Sequence, residues 1–111
     1  MYPTNSVEIN QYILSDCKAN ILVVENEDMG LKILENEAEL PYLKMVITCS
    51  ANIKTPNSKM MTWEELMEMG KEYSDDSPIV DRHLRMAINE CCLLIYTSGT
   101  TGNPKGKLLA V

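Results

Sequence analysis

A chain of 111 residues is at most one small domain, with room for a modest core because folding at this size buries roughly 65% of the unfolded surface. Its 45% hydrophobic content argues against disorder. A net charge of −6 disfavours nucleic acid, whose phosphates need clustered Lys and Arg, and gives no sign of an anionic membrane surface. With no Phe and one Trp, the core must rest on Leu, Ile, Val and eight Met.

Val7 to Cys17 reads as a short helix, with Ile9, Tyr12, Ile13 and Cys17 on one face. Ser6 is its predicted N-cap, and Glu8 suits the first turn. Ile21 to Val24 is a continuous apolar run, which predicts a strand buried on both faces of a parallel sheet. Asp28 is placed to cap a second helix in which Leu31, Leu34 and Ala38 share a face, and which Pro41 ends. Leu43 to Cys49 is the second predicted strand. Helix and strand thus alternate, which is an α/β pattern with crossovers.

Ser50 to Ser58 is a loop by composition. Thr62 and Glu65 form a capping box for a third helix, whose Trp63, Leu66, Met67 and Gly70 line one face. Met67 and Met69 are expected to pack. Asp75 and Asp76 look like a carboxylate pair, but a solvated turn that caps the next segment is the plainer reading. Val80, Leu84, Ala87 and Ile88 suit a short fourth helix, with His83 beside that face as a surface or partly packed residue. Cys91 to Tyr96 is the third strand, apolar throughout.

Cys17, Cys49, Cys91 and Cys92 show no CxxC spacing and are expected as small buried hydrophobes in a reducing compartment. The single histidine has no paired ligand nearby, so no metal site is expected. Neither a signal peptide nor an apolar run of the ~18 residues that a bilayer requires is present, and a cytoplasmic location is expected.

The segment from Tyr96 to Gly106, Tyr-Thr-Ser-Gly-Thr-Thr-Gly-Asn-Pro-Lys-Gly, carries the chemistry. Bound phosphate needs many donors and little bulk. Gly99, Gly102 and Gly106 let the backbone bring N–H groups close. Thr97, Ser98, Thr100 and Thr101 add hydroxyls, and Lys105 adds a mobile positive charge, with Pro104 restricting the backbone before it. At the carboxyl end of a parallel strand, such a loop lies where α/β sheets bind ligands. It is not the loop of P-loop NTPases, because Gly102 and Gly106 are three residues apart and Lys107 precedes Leu108. The dinucleotide pattern GxGxxG is absent as well. By composition alone, a mobile loop without a ligand remains the alternative.

The order Thr-Ser-Gly-Thr-Thr-Gly-Asn-Pro-Lys-Gly resembles the phosphate-loop signature of the adenylate-forming superfamily. Its members are acyl-CoA synthetases, luciferases and peptide-synthetase adenylation domains. Cys91-Cys92-Leu-Leu-Ile-Tyr, Tyr2 to Ser6, Asp16 to Asn20 and Leu40 to Lys44 resemble long-chain acyl-CoA synthetases of the bubblegum type, so the resemblance covers Tyr2 to Gly106. It implies residues 1–111 as a fragment of the AMP-binding N-terminal domain, a partial parallel-sheet subdomain with its phosphate loop at 96–106.

It implies a two-step reaction: a fatty carboxylate attacks the α-phosphate of Mg-ATP, and coenzyme A then displaces AMP. Thr97, Ser98, Gly99, Thr100, Thr101, Gly102 and Lys105 would hold the β- and γ-phosphates, which counters repulsion and stabilises the leaving pyrophosphate. ATP, Mg²⁺ carried by ATP, and coenzyme A are the implied cosubstrates. The implied longer parent is a binder of nucleotide and fatty acid, with peripheral membrane association left open. No catalytic residue is expected within the chain, because the adenine pocket, acyl tunnel and catalytic lysine have no counterpart here. Lys107 to Val111 departs from the family's continuation and suggests a sequence that has left the family frame. The isolated chain is therefore expected to be inactive and poorly soluble, its cut sheet exposing strand edges. A non-catalytic short product, a weak nucleotide binder or partner of the full-length ligase, is the alternative.

Overall fold

A computed structural model describes residues 5–97 and 104–110. The elements are α1 (Val7–Asp16), β1 (Ile21–Val24), α2 (Glu27–Leu34), a 3-10 turn (Glu37–Glu39), β2 (Met45–Thr48), β3 (Met60–Thr62), α3 (Trp63–Lys71), α4 (Ser77–Arg85), β4 (Cys91–Thr97) and β5 (Lys105–Ala110). β1, β2 and β3 form a parallel sheet in that order, and β4 and β5 form a separate antiparallel ribbon. The α/β class expected from the sequence is present, built around the parallel sheet.

The core lies where α1 and α2 meet β1 and β2. Leu14, Leu22, Val24, Ile33, Leu34, Leu40, Leu43, Val46 and Met60 form one cluster. β2 is central: Val46 and Thr48 are fully buried and Ile47 nearly so. β1 is buried on one face only, with Leu22 and Val24 inside and Ile21 and Val23 exposed. That corrects the expectation of a strand buried on both faces. As the edge strand, β1 has one face covered by α2 and the other open.

Helix boundaries follow the local signals with some shifts. Ser6 caps α1 through its hydroxyl, which accepts from the Ile9 N–H. The buried pair is Ile13 and Leu14; Tyr12 is half-exposed at the surface, so the apolar face is rotated by about one residue from the one predicted. At the far end, the Ala19 N–H donates to the Leu14 carbonyl and the Lys18 N–H to the Ser15 carbonyl, with Lys18 at φ 51°. This is a Schellman turn carried by lysine instead of glycine. The Lys18 ammonium lies 5.5 Å from the centre of the Tyr42 ring.

Asn26, not Asp28, caps α2 by accepting from the Met29 N–H. α2 closes at Leu34, and the 3-10 turn, not the helix, precedes Pro41. Ala38 therefore lies outside the helix, and the buried face is Gly30, Ile33 and Leu34. The Thr62–Glu65 capping box is present in both directions. Trp63, Met67 and Met69 are exposed, as are Cys49, Cys91 and Cys92, against the packed positions expected for them. α4 ends at Arg85, short of Ala87 and Ile88. Two strands were unforeseen, β3 and β5.

Gly30 lets α2 approach the sheet. A Cβ there would stand 2.6 Å from Met60 Cε, 3.1 Å from Val46 Cγ1 and 3.5 Å from Val24 Cγ2. Overpacking of this kind costs about 1–3 kcal/mol, and the gain in helix propensity returns about 1 kcal/mol. Gly30→Ala should therefore lower unfolding stability by about 1 kcal/mol in a urea titration. An unchanged or higher midpoint would mean that Met60 swings aside at no cost.

Candidate functional site

The two strands around the predicted phosphate segment form a β-ribbon. β4 is apolar from Cys91 to Leu94 and ends in the strand formers Ile95, Tyr96 and Thr97, and Pro104 then fixes the entry to β5. The register pairs Thr97 with Lys105, Tyr96 with Gly106 and Ile95 with Lys107. Residues directly opposite in an antiparallel pair share a face, about 4.5–5.5 Å apart at Cβ. Thr97 and Lys105 therefore stand side by side at the end of the ribbon, both exposed. Lys107 is two residues from Lys105 and shares that face. The base of the segment thus offers a hydroxyl and two cations together.

Of the predicted phosphate contacts, Thr97 and Lys105 are brought together. Ser98, Gly99, Thr100, Thr101 and Gly102 lie outside the described residues. One expectation is corrected. β4 is antiparallel to β5 and belongs to neither edge of the parallel sheet, so the segment does not leave the carboxyl end of a parallel strand. Instead, the Tyr96 hydroxyl donates to Asp16 Oδ2 at 2.5 Å, which brings the ribbon to the last turn of α1, where the chain turns into β1. A groove of about 450 Å³ runs between the two units, lined by Ile13, Leu14, Cys17, Ile21, Val23 and Leu93 among others.

A larger cavity lies elsewhere, beside α3, at about 870 Å³. Glu64, Glu65, Glu68 and Glu72 line it against Lys71 alone, and Lys71 is paired with Glu68. That charge repels a polyphosphate, so size is a poor guide here. Among the described residues, no group of three or more His, Cys, Asp or Glu is placed to hold a metal. Asp75 accepts from the Ser77 N–H and hydroxyl, both at 2.9 Å, which makes it a turn carboxylate. His83 is exposed on α4.

The sequence reading missed Glu27. It opens α2 and is almost fully buried. Its Oε1 accepts from the Thr55 N–H at 2.6 Å and the Lys54 N–H at 2.9 Å, and its own N–H donates to Ser50 Oγ at 3.2 Å. These bonds pin the 49–59 connection across the carboxyl edge of β1 and β2. The N–H groups of Thr55 and then Lys54 hold the carboxyl below its ordinary value, with the Lys54 charge adding and burial opposing. One carboxylate oxygen, Oε1, takes both loop N–H groups, so Glu27 serves the fold as a clamp. Only an acid at a helix start signalled it, and a helix dipole explains that equally well.

With this geometry in view, the comparisons define the class. A solved anthranilate CoA ligase, AuaEII in complex with anthranoyl-AMP, superposes with a TM-score of 0.74 over 99% of this chain and 19% of its own, at 23% identity. The fold is that of a piece of an adenylate-forming CoA ligase. The model of the AMP-binding enzyme family matches residues 1–110, and the chain belongs to that family. The match runs through Lys107 to Ala110, so the departure from the family frame expected there is overturned; these residues are the strand that pairs with β4. Among curated relatives, the long-chain-fatty-acid–CoA ligase ACSBG2 of Xenopus laevis is 42% identical over 111 residues. ACSBG1 of Rattus norvegicus is 41% identical over 112. The chain is covered to 99% in both and spans 15% of their length.

Glu27 provides a pH test. Its folded value is lowered, so its contribution to stability is complete above the ordinary glutamate value of about 4.3 and is lost as pH falls through the lowered one. Wild type should exceed Glu27→Gln in urea midpoint at about pH 6, and the gap should close by about pH 2. A gap independent of pH would show that the ionised form is not what holds the loop.

Proposed function

We propose that this chain is a segment of an ATP-dependent long-chain fatty acid–CoA ligase, and that it carries the part that grips the β- and γ-phosphates of ATP. One observation carries the reading: identity of about 40% with long-chain ligases across nearly the whole chain, with the Thr97 to Gly106 motif inside it. The reaction joins a fatty acid to coenzyme A at the expense of ATP, with AMP and pyrophosphate as products. A carboxylate approaching a triphosphate meets repulsion, and donors at the β- and γ-phosphates relieve it while stabilising the departing pyrophosphate.

Thr97 and Lys105 at the ribbon end, with Ser98, Gly99, Thr100, Thr101 and Gly102 between them, are assigned to that grip. Mg²⁺ enters with the nucleotide, and coenzyme A is the second substrate of the longer enzyme. Fatty acid metabolism in the cytoplasm belongs to the same reading, a setting that keeps four cysteines as thiols. Among the described residues, no helix is long and apolar enough to cross a membrane. Peripheral contact of the longer enzyme with membranes fits a long-chain substrate that partitions into lipid.

In a full-length ligase carrying this segment, Lys105→Ala should slow oleate-dependent ATP–pyrophosphate exchange by at least about tenfold, the worth of one charge-assisted hydrogen bond of about 1.4 kcal/mol. Exchange at the wild-type rate would remove Lys105 from the phosphate grip.

A further inference from the structure

Asp16 is a poor local choice for its position. It is the last residue of α1, where the carbonyl ends of the helix repel an anion, and no basic residue occupies that turn. A residue that breaks a local rule points to a tertiary role. The structure supplies one in Tyr96, 80 residues away, whose hydroxyl donates to Asp16 Oδ2 at 2.5 Å.

Tyr96 is itself unusual. It is the one half-buried residue of β4, the other six being exposed. Opposite it stands Gly106, and a Cβ at that position would meet Tyr96 Cζ at 3.1 Å, Cε1 at 3.2 Å and the hydroxyl oxygen at 3.4 Å. The ring therefore lies flat across the glycine, held by its partner strand on one side, while its hydroxyl reaches α1. Asp16 is fixed in turn by the Schellman bonds that close α1 behind it. Burial first, and then the Asp16 carboxylate, hold the phenol well above its ordinary value, so the proton that makes the bond is retained.

We propose that Tyr96 and Asp16 are a positioning pair that locks the base of the phosphate ribbon, Thr97 and Lys105, to the end of α1, with Gly106 as the seat for the Tyr96 ring. The purpose of the pair rests on the phosphate reading given above; the lock itself does not. Each residue acts through the register it fixes: one residue beyond Tyr96 is Thr97, and one before Gly106 is Lys105.

The test is amide hydrogen exchange on the ¹⁵N-labelled 111-residue chain, read at Thr97, Lys105 and Gly106, with Val46 and Ile47 as reporters of the parallel sheet. Tyr96→Phe and Asp16→Ala should each speed exchange at the ribbon amides by about three- to tenfold, the range for the net worth of one ordinary hydrogen bond. The double variant should go no further than either single one, and exchange at Val46 and Ile47 should not change. Asp16→Asn, which keeps an acceptor oxygen, should restore part of the protection. Asp16→Ala should leave the melting temperature equal or higher, because it removes an anion from a helix carboxyl end. Unchanged ribbon amides, or additive effects in the double variant, would overturn the lock.

Mg-ATP added to the same samples separates the two ideas. Protection of Thr97 and Lys105 by Mg-ATP in wild type, weakened several-fold in Tyr96→Phe, supports a lock that serves phosphate binding. No Mg-ATP effect on wild type would overturn the purpose given to the pair, while the exchange cycle still decides the lock and Lys105→Ala in the full-length ligase still decides the phosphate reading.

Discussion

Parallel pairing of β1, β2 and β3 is the constraint on which the rest depends. Parallel strands cannot be joined by tight turns, so each connection must travel back along the sheet. Between β1 and β2 that connection is α2, which buries Ile33 and Leu34 on Val24 and Val46 and needs Gly30 to come close enough. Between β2 and β3 it is an irregular stretch whose backbone polar groups need partners. Glu27 supplies them, taking two loop N–H groups on one carboxylate oxygen. The clamp follows from the topology: the sheet forces a long loop, and the loop requires an acceptor at the carboxyl edge.

The ribbon of β4 and β5 obeys a different constraint. It is antiparallel, so its two ends meet, and the residues flanking the phosphate segment become neighbours through register alone. A one-residue slip would turn Thr97 and Lys105 to opposite faces and would bring a side chain under the Tyr96 ring where Gly106 now leaves space. Register and ring are therefore coupled: the glycine admits the tyrosine, and the tyrosine penalises the slip.

Local rules made much of the parallel unit legible. The Ser6 cap, the Thr62–Glu65 box and the apolar runs of β1 and β2 are each decided within a few residues, and each is present. What was not legible depends on partners far along the chain. Met60–Thr62 is too short to show a period and is a strand only because β2 lies beside it. Lys105–Ala110 reads as a tail until β4 is there to pair with it. β1 looked buried on both faces because Ile and Val fill both, yet an edge position leaves Ile21 and Val23 open. The phosphate motif was readable as chemistry, since hydroxyls, glycines and a lysine declare themselves by type. Its placement was not, because the bond from Tyr96 to Asp16 spans 80 residues and neither residue advertises it.

Charge decides how an acidic chain can meet a triphosphate. The net charge of −6 opposes the approach of an anion at long range, but in physiological salt that field is screened within about 8 Å. What remains is the local balance. The larger cavity beside α3 sets four glutamates against one lysine that is already paired, and fails on that ground despite its size. The ribbon end sets Lys105 and Lys107 on one face beside the Thr97 hydroxyl, with no acidic residue in either strand. Asp16 is a carboxylate that the ribbon engages, and it takes its hydrogen bond from Tyr96 on the opposite face from the two lysines. Alternation along the strand thus separates the anion that anchors the ribbon from the cations assigned to the nucleotide, and one residue of register is enough to keep the two from neutralising each other.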